Sequence, residues 1–266
     1  AANNMDASTP ERKALEEELE VLRRLDPESP WYEANGAFLA MADGRAQEAV
    51  DRLTRLLARD DLAPAARQKI LGYRCEAHTT LERFDLALAD LEEALRLDPA
   101  AAGPLRRYSW ILLHQGRFEE ALTRIRQAIA LYPDHNWNDT ILGWVLYSLG
   151  RWEEAIAPMA KSCGRNSEQW ECASHAKALH RAGRTREARV AAERAAGLRE
   201  NAIGAWELGI YWALAGDKTA ALRLLRRAVD LGYWLTPRDI EKTVRDRELA
   251  SLRDDPRFKA ILSDAE

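Results

Sequence analysis

Cysteine is nearly absent from this chain: three residues in 266. So few thiols exclude a disulfide-framed scaffold and point to a reducing compartment or to inert thiols, hence to a cytoplasmic protein. Glycine and proline are sparse as well, at 14 and 10 residues, and 47% of the chain is apolar, which excludes wholesale disorder. No apolar run approaches the ~20 residues needed to cross a bilayer, and no signal-like apolar core opens the chain. An excess of one charge is lacking too, since 39 basic residues face 43 acidic ones. That balance leaves no electrostatic footprint for a nucleic-acid backbone or an anionic membrane. There is no Gly-rich phosphate loop, no G-x-S-x-G and no H-E-x-x-H. Ala1 in place of Met is expected of a processed chain or of a piece cut from something longer.

What is present is a recurring phrase. It reads Gly44-Arg45-Ala46-Gln47-Glu48-Ala49, Glu82-Arg83-Phe84-Asp85-Leu86-Ala87, Gly116-Arg117-Phe118-Glu119-Glu120-Ala121 and Gly150-Arg151-Trp152-Glu153-Glu154-Ala155. Looser copies follow at Gly183–Ala188 and Gly216–Ala221. The closing alanines, at 49, 87, 121, 155, 188 and 221, are spaced by 38, 34, 34, 33 and 33 residues. Each unit of this repeat holds two amphipathic stretches. In the third, Leu105, Tyr108, Leu112 and Leu113 recur at helical steps before Gln115-Gly116 breaks the pattern. Phe118, Ala121, Leu122, Ile125, Ala128 and Ile129 then share a second face, closed by Tyr132-Pro133-Asp134. Small residues at Ser109, Gly143, Ala176 and Gly209 mark where a neighbouring helix comes close.

A period near 34 with these small, aromatic and proline positions resembles the tetratricopeptide repeat (TPR). The resemblance implies an all-α, right-handed α-solenoid of six hairpins, at about 30–67, 68–101, 102–135, 136–168, 169–201 and 202–235. Residues 1–9 are expected to form a disordered tail. Residues 10–29, started by Thr9-Pro10-Glu11 and striped by Leu15, Leu19, Leu22 and Leu25, read as a half-repeat helix whose open edge invites self-association. The extra residues of the first repeat fall at Asp60–Pro64. Residues 236–266 depart from the repeat, with helix starts at Thr236-Pro237 and Asp254-Asp255-Pro256. The run Arg245–Phe258 resembles the end-of-group closure of bacterial TPR arrays, which lays a polar-backed helix over the last apolar face.

Chemistry is thin. Of five histidines, only His175 and His180 fall near Cys163 and Cys172. Cys172 and His175 share a helix face, as metal ligands can, but both occupy inward slots. The blander reading, a buried thiol beside a core histidine, wins, and no metal is expected. Glu119-Glu120 and Glu153-Glu154 sit at helix starts, where negative charge favours the dipole. No catalytic residue and no cofactor is expected.

Tryptophan is the oddity, with nine residues. The resemblance implies that the second, fifth, ninth, twelfth and thirteenth residues of each unit face a concave groove. Those slots hold Trp31, Ala34 and Phe38, then Arg106, Trp110, Leu113 and His114, then Trp137, Thr140, Trp144 and Tyr147. Trp170, Lys177, His180 and Arg181 follow in the fifth unit, and Trp206 and Ile210 in the sixth. Trp152 and Trp212 fall where the family packs an aromatic in the core. The competing reading is that Trp144 and Tyr147 prop up neighbouring helices, or that the aromatics pack on one another. TPR co-chaperones clamp a chain-end carboxylate with Lys, Asn and Arg from three successive repeats; only Arg106 matches in charge, so that clamp is not expected here.

Together these readings predict a non-catalytic scaffold that receives a peptide or helical segment of a partner protein, with no nucleic-acid or membrane ligand. The alternative is a sensory or regulatory arm of a larger bacterial signalling protein, such as a cyclase, kinase or transcription regulator.

Overall fold

The computed structural model describes residues 10–235, 240, 243–244 and 246–265. The expected tail over 1–9 and the helix start at Thr236-Pro237 lie outside the described residues. Among the described residues there are fourteen helices and no strand, an all-α fold of the α-solenoid class. The chain divides into two compact units, 1–133 and 134–266.

The first unit holds α1 (Pro10–Leu25), α2 (Pro30–Ala42), α3 (Ala46–Leu57), α4 (Pro64–Thr80), α5 (Phe84–Leu97), α6 (Ala102–His114) and α7 (Phe118–Leu131). The pairs α2–α3, α4–α5 and α6–α7 are hairpins, and α3 against α4 and α5 against α6 stack one hairpin on the next. The second unit repeats the plan. Its helices are α8 (Asn136–Ser148), α9 (Trp152–Asn166), α10 (Gln169–Arg181), α11 (Thr185–Ala196), α12 (Ala202–Leu214) and α13 (Lys218–Asp230), with α14 (Pro256–Asp264) against α13. Asp255 caps α14, its carboxylate accepting from the Arg257 N–H.

The recurring phrase is the hairpin turn. Gly44 and Gly116 take φ +76°, a left-handed conformation that side chains disfavour. The Arg45 and Arg117 N–H groups then reach back five residues to the carbonyls of Ala40 (2.8 Å) and Leu112 (2.9 Å), closing the preceding helix. Glu82 holds the same place at φ +54° in the second hairpin, where the missing glycine costs about 1 kcal/mol. Arg45, Arg117, Arg151 and Arg184 next fold forward onto the glutamate three residues on, whereas Arg83 has Leu86 at that place. These pairs are solvent-exposed, so they aim the entering helix more than they stabilise it. The alanine that follows is fully buried in all six hairpins.

Small residues set the helix spacing. Ser109 is buried and its hydroxyl donates to the Ala121 carbonyl at 2.8 Å. A Cβ placed on Gly209 would meet Leu225 side-chain carbons at 2.8 Å and its backbone nitrogen at 3.2 Å. On Gly143 it would meet Met159 Cγ at 2.6 Å but backbone only at 3.5 Å.

Two expectations need correction. The α1 stripe is only partly used: Leu15, Leu19 and Leu22 are half-buried, whereas Leu25 is 80% exposed. Arg12 donates to Asp43 at 2.7 Å and Asn35 to Glu18 at 3.2 Å, which tie α1 down by polar contacts instead. The second correction concerns Cys163 and Cys172, read as inert thiols. They form a disulfide across the short α9–α10 connection, with Cα atoms 4.7 Å apart. Only Cys75 is free, and burial pushes its thiol up to about 12. Beside the disulfide, buried Glu171 accepts from Thr140 (2.9 Å), Ser162 (2.5 Å) and Asn166 (2.9 Å), joining α8, α9 and α10.

Gly209→Ala is expected to lower the thermal midpoint by the equivalent of about 1–3 kcal/mol, and Gly143→Ala by clearly less, since flexible Met159 can yield where the Leu225 backbone does not. Equal losses, measured by calorimetry, would refute this account of helix spacing. Reducing the Cys163–Cys172 bond should cost about 2–3 kcal/mol, the closure entropy of so short a loop, in a denaturant titration with and without dithiothreitol. Identical midpoints would show that the bond does not stabilise the unit.

Candidate functional site

Helices α2, α4 and α6 carry the candidate residues of the first unit. Trp31, near the start of α2, is half-buried, and Lys69 Nζ lies 4.6 Å from its ring centre and 5.9 Å from that of Tyr73. Phe38 tilts against Tyr73 with centroids 6.0 Å apart. These contacts make a small aromatic and cationic surface on α2 and α4. On α6, Trp110 meets His114 edge to face at 4.5 Å. Arg106, half-buried, has a guanidinium nitrogen with no acceptor; burial first, then neighbouring Arg107, lowers its pKa. Arg107 in turn donates to Glu76 and to the Gly72 carbonyl, both at 3.1 Å.

In the second unit the candidates separate into three groups. Trp137, at the start of α8, is 48% exposed, and Trp170, at the start of α10, is half-buried. These two keep the accessibility that their slots imply. Trp206 does not, at 4% exposed: it stacks on Tyr233 with centroids 4.5 Å apart inside the core that α12 shares with the closing segment. His180 is half-buried and turned edge-on to buried Tyr211 at 6.1 Å. Ala34, Thr140 and Ile210, which were expected to face outward, are also buried.

The third group converges. Lys177 is 2% exposed, its ammonium 2.6 Å from Glu207 on α12 and 3.5 Å from Glu248. The same ammonium lies 4.9 Å from the Trp144 ring centre and 5.5 Å from that of Tyr147. Tyr147 donates its hydroxyl to Glu248, and Arg181 approaches that carboxylate at 3.5 Å while stacking over Trp152 at 5.6 Å. Burial alone would lower the Lys177 pKa, yet Glu207 and Glu248 outweigh it and hold the ammonium charged. Burial likewise pushes the Tyr147 phenol up, helped by Glu248. For Glu248, burial works against ionisation, but Lys177, Tyr147 and Arg181 prevail and its pKa is lowered. Asp246, on the same turn, is raised by burial.

Sequence reasoning brought Trp144, Tyr147, Lys177 and Arg181 together but read Lys177 as an open groove cation. It missed Glu207 and Glu248 entirely. Glu248 lies 101 residues from Tyr147 in the chain, and nothing in its neighbourhood marks it. Trp234, to which no slot was assigned, is the most exposed tryptophan, at 70%. Among the described residues, no group of three or more His, Cys, Asp or Glu side chains is placed to hold a metal, and no helix is long and apolar enough to cross a membrane.

Because Glu248 has a depressed pKa, its ion pairs stabilise the fold fully above its ordinary value of 4.5 and lose that contribution as pH falls through the depressed one. Wild type should therefore melt above Glu248→Gln near about pH 6, and the two curves should converge as pH falls through the depressed Glu248 value. A gap that stays constant would mean that Glu248 contributes through packing, not charge.

Comparison with known proteins agrees with the helical pattern. Residues 79–139 and 112–169 each match the family described as "Tetratricopeptide repeat". A tetratricopeptide repeat protein from Parabacteroides merdae is similar over 96% of this chain and 93% of its own, with TM-score 0.65 and 16% identity. MamA from Desulfovibrio magneticus is similar over 63% of this chain and 93% of its own, with TM-score 0.55 and 17% identity. YrrB, described as "a TPR protein with an unusual peptide-binding site", is similar over 69% of this chain and 93% of its own, with TM-score 0.50 and 17% identity. No curated protein matches the chain.

Proposed function

Given that the chain is a tetratricopeptide repeat protein, we propose that it is a non-catalytic scaffold that binds a peptide or helical segment of a partner protein on its first-helix faces. One observation carries this reading. Trp31 and Trp110 in the first unit, and Trp137 and Trp170 in the second, remain accessible on helices whose opposite sides are packed core. Accessible indoles on a stiff helical support lose little conformational freedom on binding, and Trp and Arg anchors dominate interface energetics. The half-buried Arg106, short of an acceptor, adds a cation beside Trp110. Trp206 and Lys177 leave the set of direct contacts, since both are buried and already partnered. The peptide-binding site attributed to YrrB supports the same mode for a related arrangement of helices. The disulfide withdraws the argument for a reducing compartment and favours an oxidising one over the cytoplasm.

Proteins retained by the immobilised chain supply the test. Trp110→Ala and Trp170→Ala should each weaken retention by the equivalent of ~2 kcal/mol, about thirtyfold in Kd, while the thermal midpoint moves by no more than a few degrees. Parallel loss of binding and stability would place these rings in the core and defeat the reading.

A further inference from the structure

Glu248 is an unusual neighbour for the Tyr147, Lys177 and Arg181 cluster. It comes from the non-helical turn ahead of α14, yet its carboxylate sits against the first helices α8 and α10. We infer that this cluster is a carboxylate-binding site, filled in the isolated chain by Glu248, and that an acidic side chain of a partner segment displaces Glu248 when the second unit is engaged. The inference deepens the scaffold reading by naming the ligand chemistry and the control at one site.

Three observations carry it. First, Arg181 is not saturated. It stands 3.5 Å from a Glu248 oxygen, long against the ~2.7–2.9 Å of a good charge-assisted bond, while Lys177, at 3.5 Å from Glu248, has its close partner in Glu207 at 2.6 Å. Arg181 Nε is buried with no acceptor at all. A carboxylate free of the chain tether can take Arg181 side-on through two nitrogens, which Glu248 does not. Second, the rest of the closing segment is anchored without Glu248. Leu249, Leu252, Phe258, Ile261 and Leu262 are buried with α12 and α13, and the Ser251 hydroxyl donates to the Ala213 carbonyl at 3.2 Å. Glu248 and Asp246 ride on one turn, with the Glu248 N–H donating to Asp246 at 2.8 Å. When that turn lifts, both acids leave, and Lys177 and Arg181 face Glu207 alone, which makes the vacated site net positive. Third, Arg181 is open to solvent: it lines a hollow with Gly150, Trp152 and Ala182, whose two acids, Glu153 and Glu154, are paired with Arg184 and Arg151.

Lys177 holds the ninth slot and Arg181 the thirteenth of one unit, so the cations come from one helix and not from three successive repeats.

The test uses the full chain and a fluorescein-labelled, end-capped penta-glutamate peptide, with penta-glutamine as control, followed by polarisation. Glu248→Ala should bind penta-glutamate about tenfold more tightly than wild type, and Arg181→Ala in that background should abolish the gain. Penta-glutamine should respond to neither change. Glu248→Gln, which keeps the shape and removes the charge, gives the same reading should the alanine variant fold poorly. Overturning results are a Glu248 variant that binds no more tightly than wild type, or a gain that survives Arg181→Ala. Either would make the cluster a structural ion-pair network. If the latch fails while the tryptophan variants still lose retained partners, the scaffold reading stands; the reverse outcome would leave the carboxylate site and remove the aromatic one.

Discussion

Close approach between helix pairs is the constraint on which the rest depends. The two helices of each hairpin must pack with axes about 8–10 Å apart before the hairpin can bury its remaining apolar face by stacking on a neighbour. Only small residues permit that distance. The six fully buried alanines of the recurring phrase supply one side, and Ser109, Gly143, Ala176 and Gly209 supply the other. The left-handed residue at each turn fixes where the second helix starts, and hence which of its residues meet the first.

That spacing partitions the first-helix side chains. A residue close to the next hairpin is drawn into the stack whatever its chemistry, and a charge drawn in must find a counter-charge. Lys177 is the clearest case: its ammonium is held between Glu207 and Glu248 under the rings of Trp144 and Tyr147. Two indoles at helix starts escape the partition. Trp137 and Trp170 lie where their helices begin, and they keep exposed area that mid-helix Trp206 loses to Tyr233.

Much of the fold was legible because its signals are local. Gly44, Gly116 and their counterparts announce the turns, an Arg and a Glu three residues apart frame four of the six second-helix entries, and the spacing of buried alanines gives the period. The candidate surface was legible by type and less so by exposure. Slot position separates inner from outer faces but not a covered ring from an open one, since covering depends on the next hairpin and, for Trp206, on Tyr233 and the closing segment. The disulfide escaped notice because composition argues about compartments, whereas bonding needs two Cα atoms 4.7 Å apart, a fact of the α9–α10 turn.

By itself, then, the amino-acid order determined the period, the hairpins, the turn residues and the small contacts between helices, because each follows from backbone preferences acting over a few residues. Tertiary structure decided which indoles stay open, which cation is sealed in, and that Glu248 would meet Tyr147 from 101 residues away. Such long-range meetings carry no local signal, since they are set by the stacking of whole hairpins and by where the closing segment comes to rest.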